Sequence, residues 1–401
     1  MAKQLPSYLF VNLHILIMKT LQIADLTKEE QQCSQALCQL IQNEIREKGD
    51  IPFSHFMELA LYAPNLGYYA NGRLKIGQAG DFITAPTLSP LFAQTLAQQL
   101  KPLLPEAGGV IYEFGAGTGV LAADLLNALE SSLHTYYIIE ISAQLSEQQR
   151  QHIAEYAPEF LDKVIWLTQL PEQLEGILIG NEVLDAMPIE RIRHSESNEW
   201  QRVYVSYEKN EFILKYENIA DKEMLQAALQ YFPDNTPYTS ELHLTQYAFI
   251  QTLAQKLTCG AMIWIDYGFD AAQYYHPQRD DGTLIGHHRH HSIHNPFYRI
   301  GLTDLTSHVN FSDIADAACT NGFDLIGYTT QANFLFNLGI LERLGQQYPE
   351  AYSVEYIRAA TAVHQLTAQH EMGELFKVIA FGKNISVDWQ GFFIGDMCHK
   401  L

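Results

Sequence analysis

Apolar residues fall at helical spacing over 28–48, where Leu37, Leu40, Ile41 and Ile45 share a side and Gly49 follows as a stop. Pro52 opens a second predicted helix over 53–61, ended by Pro64. The stretch 65–90, containing NLGYYANGRLKIGQAGDFITAP, then loses all period and carries four glycines; it is too elaborate for a simple connector. Ser89 is placed to cap a helix running to Leu100. Beyond it short apolar runs alternate with helical patterns. Strands are predicted at 110–114, 136–141, 163–168 and 176–180, and helices at 120–130 and 144–156. Such alternation predicts an α/β domain with a doubly wound, mostly parallel sheet. At 201–207 and 211–216 the pattern changes to polar–apolar alternation around Lys209 and Asn210, which predicts an antiparallel hairpin inside an insertion. The sheet resumes at 261–267 and closes with 323–329 and 376–382, for seven strands.

Composition narrows the function classes. The 401 residues are 47% hydrophobic and 18% charged, enough apolar material for a packed core. Asp and Glu number 46 against 25 Lys and Arg, a net charge of -21. That field repels phosphates, so neither nucleic acid nor an anionic membrane is an expected partner. The five cysteines are scattered with no paired spacing, which predicts no disulfide framework, a reducing compartment and a cytoplasmic location. The apolar run 8–18 is shorter than the about 20 residues of a membrane span and lacks a small-x-small cleavage site. Residues 1–18 therefore read as an extension, with Met18 as an alternative start.

The strongest chemical signal is the 110–120 segment VIYEFGAGTGV, in which a strand ends in Glu113, Gly115, Gly117 and Gly119 follow, and a helix begins. Glycines let the backbone approach a ligand closely, and the helix start offers unpaired N–H groups. Dinucleotide sites favour GxGxxG. The spacing here suits S-adenosylmethionine (SAM), whose amino group needs an acceptor such as Glu113. Glu140, closing the second strand, is placed for two ribose hydroxyls. Asn181 and Glu182 end the fourth strand and Asp266 the fifth, at the same sheet edge. Glu182 suits a cofactor contact or a base near the substrate; Asp185 suits either a site role or a helix cap.

The ordered motifs GYYA (67–70), GDFITAP (80–86), EFGAGTG (113–119), GNEVLDAMP (180–188), DYG (266–268), GTL (282–284) and DLTSHVNF (304–311) resemble those of the MidA-type SAM-dependent methyltransferases. The mitochondrial member of that family is an assembly factor for respiratory complex I. The resemblance implies a class I methyltransferase fold, Rossmann-like, with a leading helical segment and an inserted α+β subdomain. It implies a core from 101–190, 256–270 and 312–385, a leading unit at 19–100, and substrate-side insertions at 191–255 and 271–311. It further implies methylation of an arginine in a basic segment of a protein partner, such as a complex I subunit. Asp81 and Thr84, inside GDFITAP, are expected on the cofactor side with Asn181. Thr87 and Asn310 stand where the family pattern carries acids.

Arginine stays protonated near neutral pH, so carboxylates must hold its guanidinium in a fork. The candidates are Glu182, Asp185, Asp266 and Asp81, and the expected catalytic set is Glu182 with Asp266, assisted by Asp185. Tyr68, Tyr69 and Phe82 are lid candidates in the glycine-rich loop. Seven histidines crowd 276–308, yet no Cys or helical HxxxH spacing accompanies them, so no metal is expected. A nicotinamide-dependent oxidoreductase and a non-catalytic SAM-binding assembly chaperone are the alternatives.

Overall fold

The computed structural model describes residues 25–72, 84–234 and 236–401. The proposed extension 1–18, Asp81 and Phe82 lie outside them. The chain contributes strands β1 (Ile51–Pro52), β2 (Val110–Phe114), β3 (Thr135–Ile139), β4 (Val164–Leu167) and β5 (Leu174–Asn181). Next come β6 (Glu190–His194), β7 (Trp200–Glu208), β8 (Glu211–Asn218), β9 (Tyr238–Leu242) and β10 (Leu257–Phe269). The last are β11 (Ile285–His288), β12 (His291–Ile293), β13 (Asp304–Thr306), β14 (Val309–Asn310), β15 (Asp324–Thr330) and β16 (Phe376–Lys383).

The main sheet runs in the order β15-β16-β10-β5-β2-β3-β4, and β14 pairs with the end of β10. From β4 to β10 every pairing is parallel. β16 is antiparallel to both its neighbours. The alternation of short apolar runs with helices thus gives a mixed α/β fold with a largely parallel sheet.

Alternate residues of the central strands enter opposite layers. Ile177, Ile179 and Ile263 pack with Leu96, Leu100 and Leu125 on one face. Leu178, Met262 and Trp264 pack with Leu253 and Phe311 on the other. Both faces are covered, which is why these strands read as continuous apolar runs. The chain leaves β2 toward β3 in one direction and returns through β5 toward β10 in the other. Their shared border is the switch point where open α/β sheets form a crevice beyond the strands' carboxyl ends.

Two smaller sheets flank this core. One is β1-β7-β6-β9, with β8 paired to β7 through Lys209 and Asn210, both left-handed at φ 51° and 68°. The other is β12-β11-β13. Strands β6 and β9 escape the sequence pattern because their polar residues point inward. Glu241 on β9 is fully buried and accepts hydrogen bonds from the amides of Thr283 and Leu284 and from the Tyr274 hydroxyl.

Close strand contact makes one glycine indispensable. A Cβ on Gly260, at φ +136°, would lie 1.8 Å from the Gly176 carbonyl oxygen. Gly260→Ala should destabilise the fold by about 3 kcal/mol or more. Gly345, inside the helix Ile340–Gln347 with open space around it, provides the control: Gly345→Ala should stabilise by about 0.5–1 kcal/mol. Denaturant unfolding of both variants checks this; equal effects would contradict the packing.

Candidate active site

A cavity of about 1060 Å³ opens over the carboxyl edge of the main sheet. Its floor is the turn after β2. Gly115, Gly117 and Gly119 take left-handed φ values of 65°, 53° and 88°, so the chain coils tightly before the helix Val120–Leu129. Gly115 also faces Val183: a Cβ there would lie 2.7 Å from the valine Cγ2. Glycine at this position keeps the loop against β5.

Glu113 is the penultimate residue of β2, beneath that turn. It is 2% exposed, and Tyr136 donates its hydroxyl to Oε2 at 2.8 Å. Burial pushes its carboxyl up to about 8, with the Tyr136 hydrogen bond opposing. Glu140 follows β3. Its Oε1 accepts the Ser142 amide at 2.8 Å and its Oε2 the Gln149 side-chain amide at 3.1 Å. Burial raises this carboxyl too, against those two hydrogen bonds. Gln149 also donates to the Gly117 carbonyl at 3.0 Å, tying Glu140 to the glycine turn. Ile141, next to it, is 76% exposed and lines the cavity with Ile139 and Leu145. The floor therefore presents a close-approach turn, two carboxylates and an apolar shelf. Those groups fit the amino acid, ribose and adenine parts of SAM.

The far wall descends from β5. Asn181 and Glu182 line it, and the Asn181 amide donates to Glu182 Oε1 at 3.0 Å. Asn181 Oδ1 is buried without a hydrogen-bond partner. Glu182 sits at φ +54°, uncommon for a residue with a side chain, and its amide donates to the Ile265 carbonyl at 2.9 Å. Burial, reinforced by nearby Asp185, pushes Glu182 up to about 8. Asp185 also lines the cavity. It is 5% exposed, accepts the Tyr267 hydroxyl at Oδ2, and is pushed up to about 6 by burial. Thr84 lines the cavity beside Pro86 and Thr87.

Asp266 departs from the expectation that it clamps substrate. It is 1% exposed and turned away from the cavity. Its Oδ2 accepts the amides of Val183, Leu184 and Asp185 at 3.1, 2.9 and 3.3 Å, and its Oδ1 the amide of Tyr267 at 2.9 Å. With four amides on its two oxygens it holds the loop that carries Glu182 and Asp185. Burial, and then the charges of Asp185 and Glu182, raise its carboxyl well above the usual range.

Further side chains of the wall come from the leading unit, including the lid candidate Tyr69, and from 271–311. Tyr62 donates its hydroxyl to the Ala186 carbonyl at 2.9 Å and stacks on Tyr69, centroids 5.5 Å apart. Tyr69 donates to Asp304 Oδ2 at 2.8 Å. Asp304 opens the DLTSHVNF motif on β13, the one sequence signal that pointed to it. His308 packs edge-on against Tyr267 and Phe269, and burial pushes its imidazole down to about 4. The wall draws on 271–311 but on no described residue of 191–255. Among the described residues no group of three or more His, Cys, Asp or Glu could hold a metal ion, and no helix is long and apolar enough to cross a membrane.

Known proteins resemble this chain in sequence and fold. Residues 91–329 match the Methyltransf_28 family, described as "Putative S-adenosyl-L-methionine-dependent methyltransferase". A solved structure of a COG1565 superfamily member from Burkholderia thailandensis, bound to S-adenosyl-homocysteine, superposes with TM-score 0.91 at 41% identity. It covers 95% of this chain and 100% of that one. The mitochondrial protein arginine methyltransferase NDUFAF7 homolog of Caenorhabditis elegans is 27% identical over 75% of this chain and 76% of its own. Human NDUFAF7 is 26% identical over 75% and 73% respectively. Those names correct the cytoplasmic expectation: relatives called mitochondrial point away from it. The cofactor is SAM rather than a nicotinamide dinucleotide, and the chain belongs to this family of SAM-dependent methyltransferases.

Proposed function

We propose that this enzyme transfers the SAM methyl group to an arginine side chain in a basic segment of a protein partner. The observation that carries the reading is the pairing of the glycine-turn floor with a buried acidic wall inside one cavity. The relatives named protein arginine methyltransferases support it. In its finer form the partner is a respiratory complex I subunit or its equivalent, with neither nucleic acid nor membrane engaged. Residues 101–190, 256–270 and 312–385 form the catalytic core, 19–100 the leading unit, and 191–255 with 271–311 the insertions, of which 271–311 reaches the substrate side.

Bound SAM supplies an electrophilic methyl on a sulfonium. The turn Gly115–Gly117–Gly119 admits the cofactor's backbone contacts; Glu113, Asn181 and Thr84 border its amino-acid end, and Glu140 takes the ribose hydroxyls. Asp81 falls to the same side by its motif. Glu182 and Asp185 supply negative charge to receive a guanidinium and favour charge away from the attacking nitrogen. Asp266 acts as a positioning residue through the 183–185 amides. Alignment of nitrogen and methyl at about 3–3.5 Å is the main contribution asked of the protein.

Mass spectrometry of the host proteome with and without the gene tests this: a methyl-arginine lost only in the deletion is expected. No change, together with no transfer from labelled SAM by the purified protein, would instead leave a SAM-binding chaperone. Gly117→Val should weaken S-adenosyl-homocysteine binding at least about 100-fold, since a β-branched residue resists φ +53° and fills the approach. Calorimetry measures it; unchanged affinity would contradict the cofactor placement.

The pH dependence has a definite sign. Glu182 and Asp185 are raised to about 8 and 6, so in the free protein both are neutral at low pH and ionise as pH rises. kcat/KM should climb between about pH 6 and 8 and then level. Glu182→Gln should remove the upper part of that rise. A flat or falling profile over the same window would contradict the assignment. Asp266→Asn should lower kcat by about 10-fold or more with SAM affinity nearly intact; loss confined to SAM affinity would contradict its positioning role.

A further inference from the structure

Methylation of a guanidinium leaves one proton to be placed. Arginine and the sulfonium each bring one positive charge into the cavity. The methylated product carries one away, so the other must leave as a proton from the attacking nitrogen. The acids of the wall are engaged in other ways. Asp266 is saturated by backbone amides. Glu182 accepts the Asn181 amide and is hydrogen-bonded to the Ala85 backbone. Asp185 takes the Tyr267 hydroxyl on Oδ2, while its Oδ1 is buried with no hydrogen-bond partner. A carboxylate oxygen left unpaired at that depth is costly unless a donor arrives, which suits it to hold an N–H of the cation.

His308 offers a different chemistry beside it. Strand β14 runs parallel to the end of β10, with Gly268 opposite Val309. The approach is close: a Cβ on Gly268 would lie 2.1 Å from the Val309 carbonyl oxygen. His308 thereby settles edge-on against Tyr267 and Phe269, with ring centroids 5.3 and 5.1 Å away. Its amide donates to Thr283 Oγ1 at 3.0 Å, and the Ser307 amide before it donates to the Asp185 carbonyl at 3.0 Å. Tyr267 joins the two side chains, its hydroxyl on Asp185 and its ring against His308. Both Asp185 and His308 line the cavity, and His308 Nδ1 is buried with no hydrogen-bond partner. Burial first, then Arg279, Lys377 and His287, keep this imidazole uncharged, and burial does the same for neighbouring His243. A neutral imidazole always keeps one ring nitrogen free of a proton.

Resting on the arginine reading above, we propose that His308 is the catalytic base that takes this proton, while Asp185 Oδ1 holds the same guanidinium next to it. The step balances. A guanidinium nitrogen forms a bond to the methyl carbon, and the bonding pair of the broken C–S bond returns to sulfur. One N–H proton passes to the free ring nitrogen of His308, and the imidazolium later gives it to solvent. The cavity holds two positive charges before the transfer, on SAM and arginine, and two after it, on methyl-arginine and His308. Proton transfer thus adds no third cation to a buried site. Tyr267 is the positioning residue for both partners.

The test follows label from methyl-labelled SAM into methyl-arginine, with the full chain as enzyme and extract of the gene-deletion host as acceptor. His308→Gln should slow transfer about 100-fold, while S-adenosyl-homocysteine affinity by calorimetry stays within about twofold. In His308→Ala, added imidazoles should raise the rate at least about 10-fold, and the more basic ones should raise it more, because a base is being replaced. Transfer by His308→Gln at the wild-type rate would overturn the base and leave the arginine reading standing. A slow His308→Ala that no imidazole restores, or that all restore equally, would do the same, since a ring that only fills space is indifferent to basicity. No methyl-arginine formed by the wild type would overturn both. Should His308→Gln lose the cofactor product as well, the imidazole series on His308→Ala decides by the same criteria.

Discussion

The site depends on one buried carboxylate. Asp266 gathers the amides of residues 183, 184, 185 and 267 on its two oxygens and so fixes the turn where β5 gives way to the acidic wall. Placing a carboxylate so deep is unfavourable without such donors. The amides offset that penalty and in return take a defined path. Glu182 is held left-handed on this turn, Val183 packs against Gly115, and Asp185 meets the Tyr267 hydroxyl. The floor and the wall of the cavity are thus fastened to each other through a residue that does not itself line the cavity.

The same economy of burial runs through the cavity. Glu113, Glu182 and Asp185 are all raised by burial first and by neighbouring charge only second, if at all. A concentration of acids that are reluctant to ionise makes a site hungry for cations. SAM and arginine are both cationic, so each partner offsets the cost of ionising these buried acids. The net charge of -21 is a separate matter, since it is spread over 46 acids and only a few face the cavity.

Much of this was legible in the chain. The glycine turn between Phe114 and Val120 announced itself because strand, tight turn and helix occupy consecutive residues. The parallel sheet was legible because both of its faces are covered and its strands stay apolar. The strand pattern locates Asp266 at the carboxyl edge but not its orientation: a strand-end acid looks the same in sequence whether it faces a ligand or, as here, the backbone amides of the adjoining loop. Asp304 carries no signal of its own within DLTSHVNF, because its surroundings include Tyr69, which is 235 residues away in the chain. Strands β6 and β9 stayed hidden since their buried polar groups, Glu241 above all, mimic an exposed pattern.

A crystal structure of the full chain with S-adenosyl-homocysteine and an arginine peptide tests the central claim most directly. The account predicts the guanidinium inside the cavity, facing the glycine turn, with its nitrogens within hydrogen-bond distance of wall carboxylates and Asp266 still bound to its four amides. An arginine seated outside this cavity, or one whose guanidinium meets no carboxylate of the wall, would contradict it.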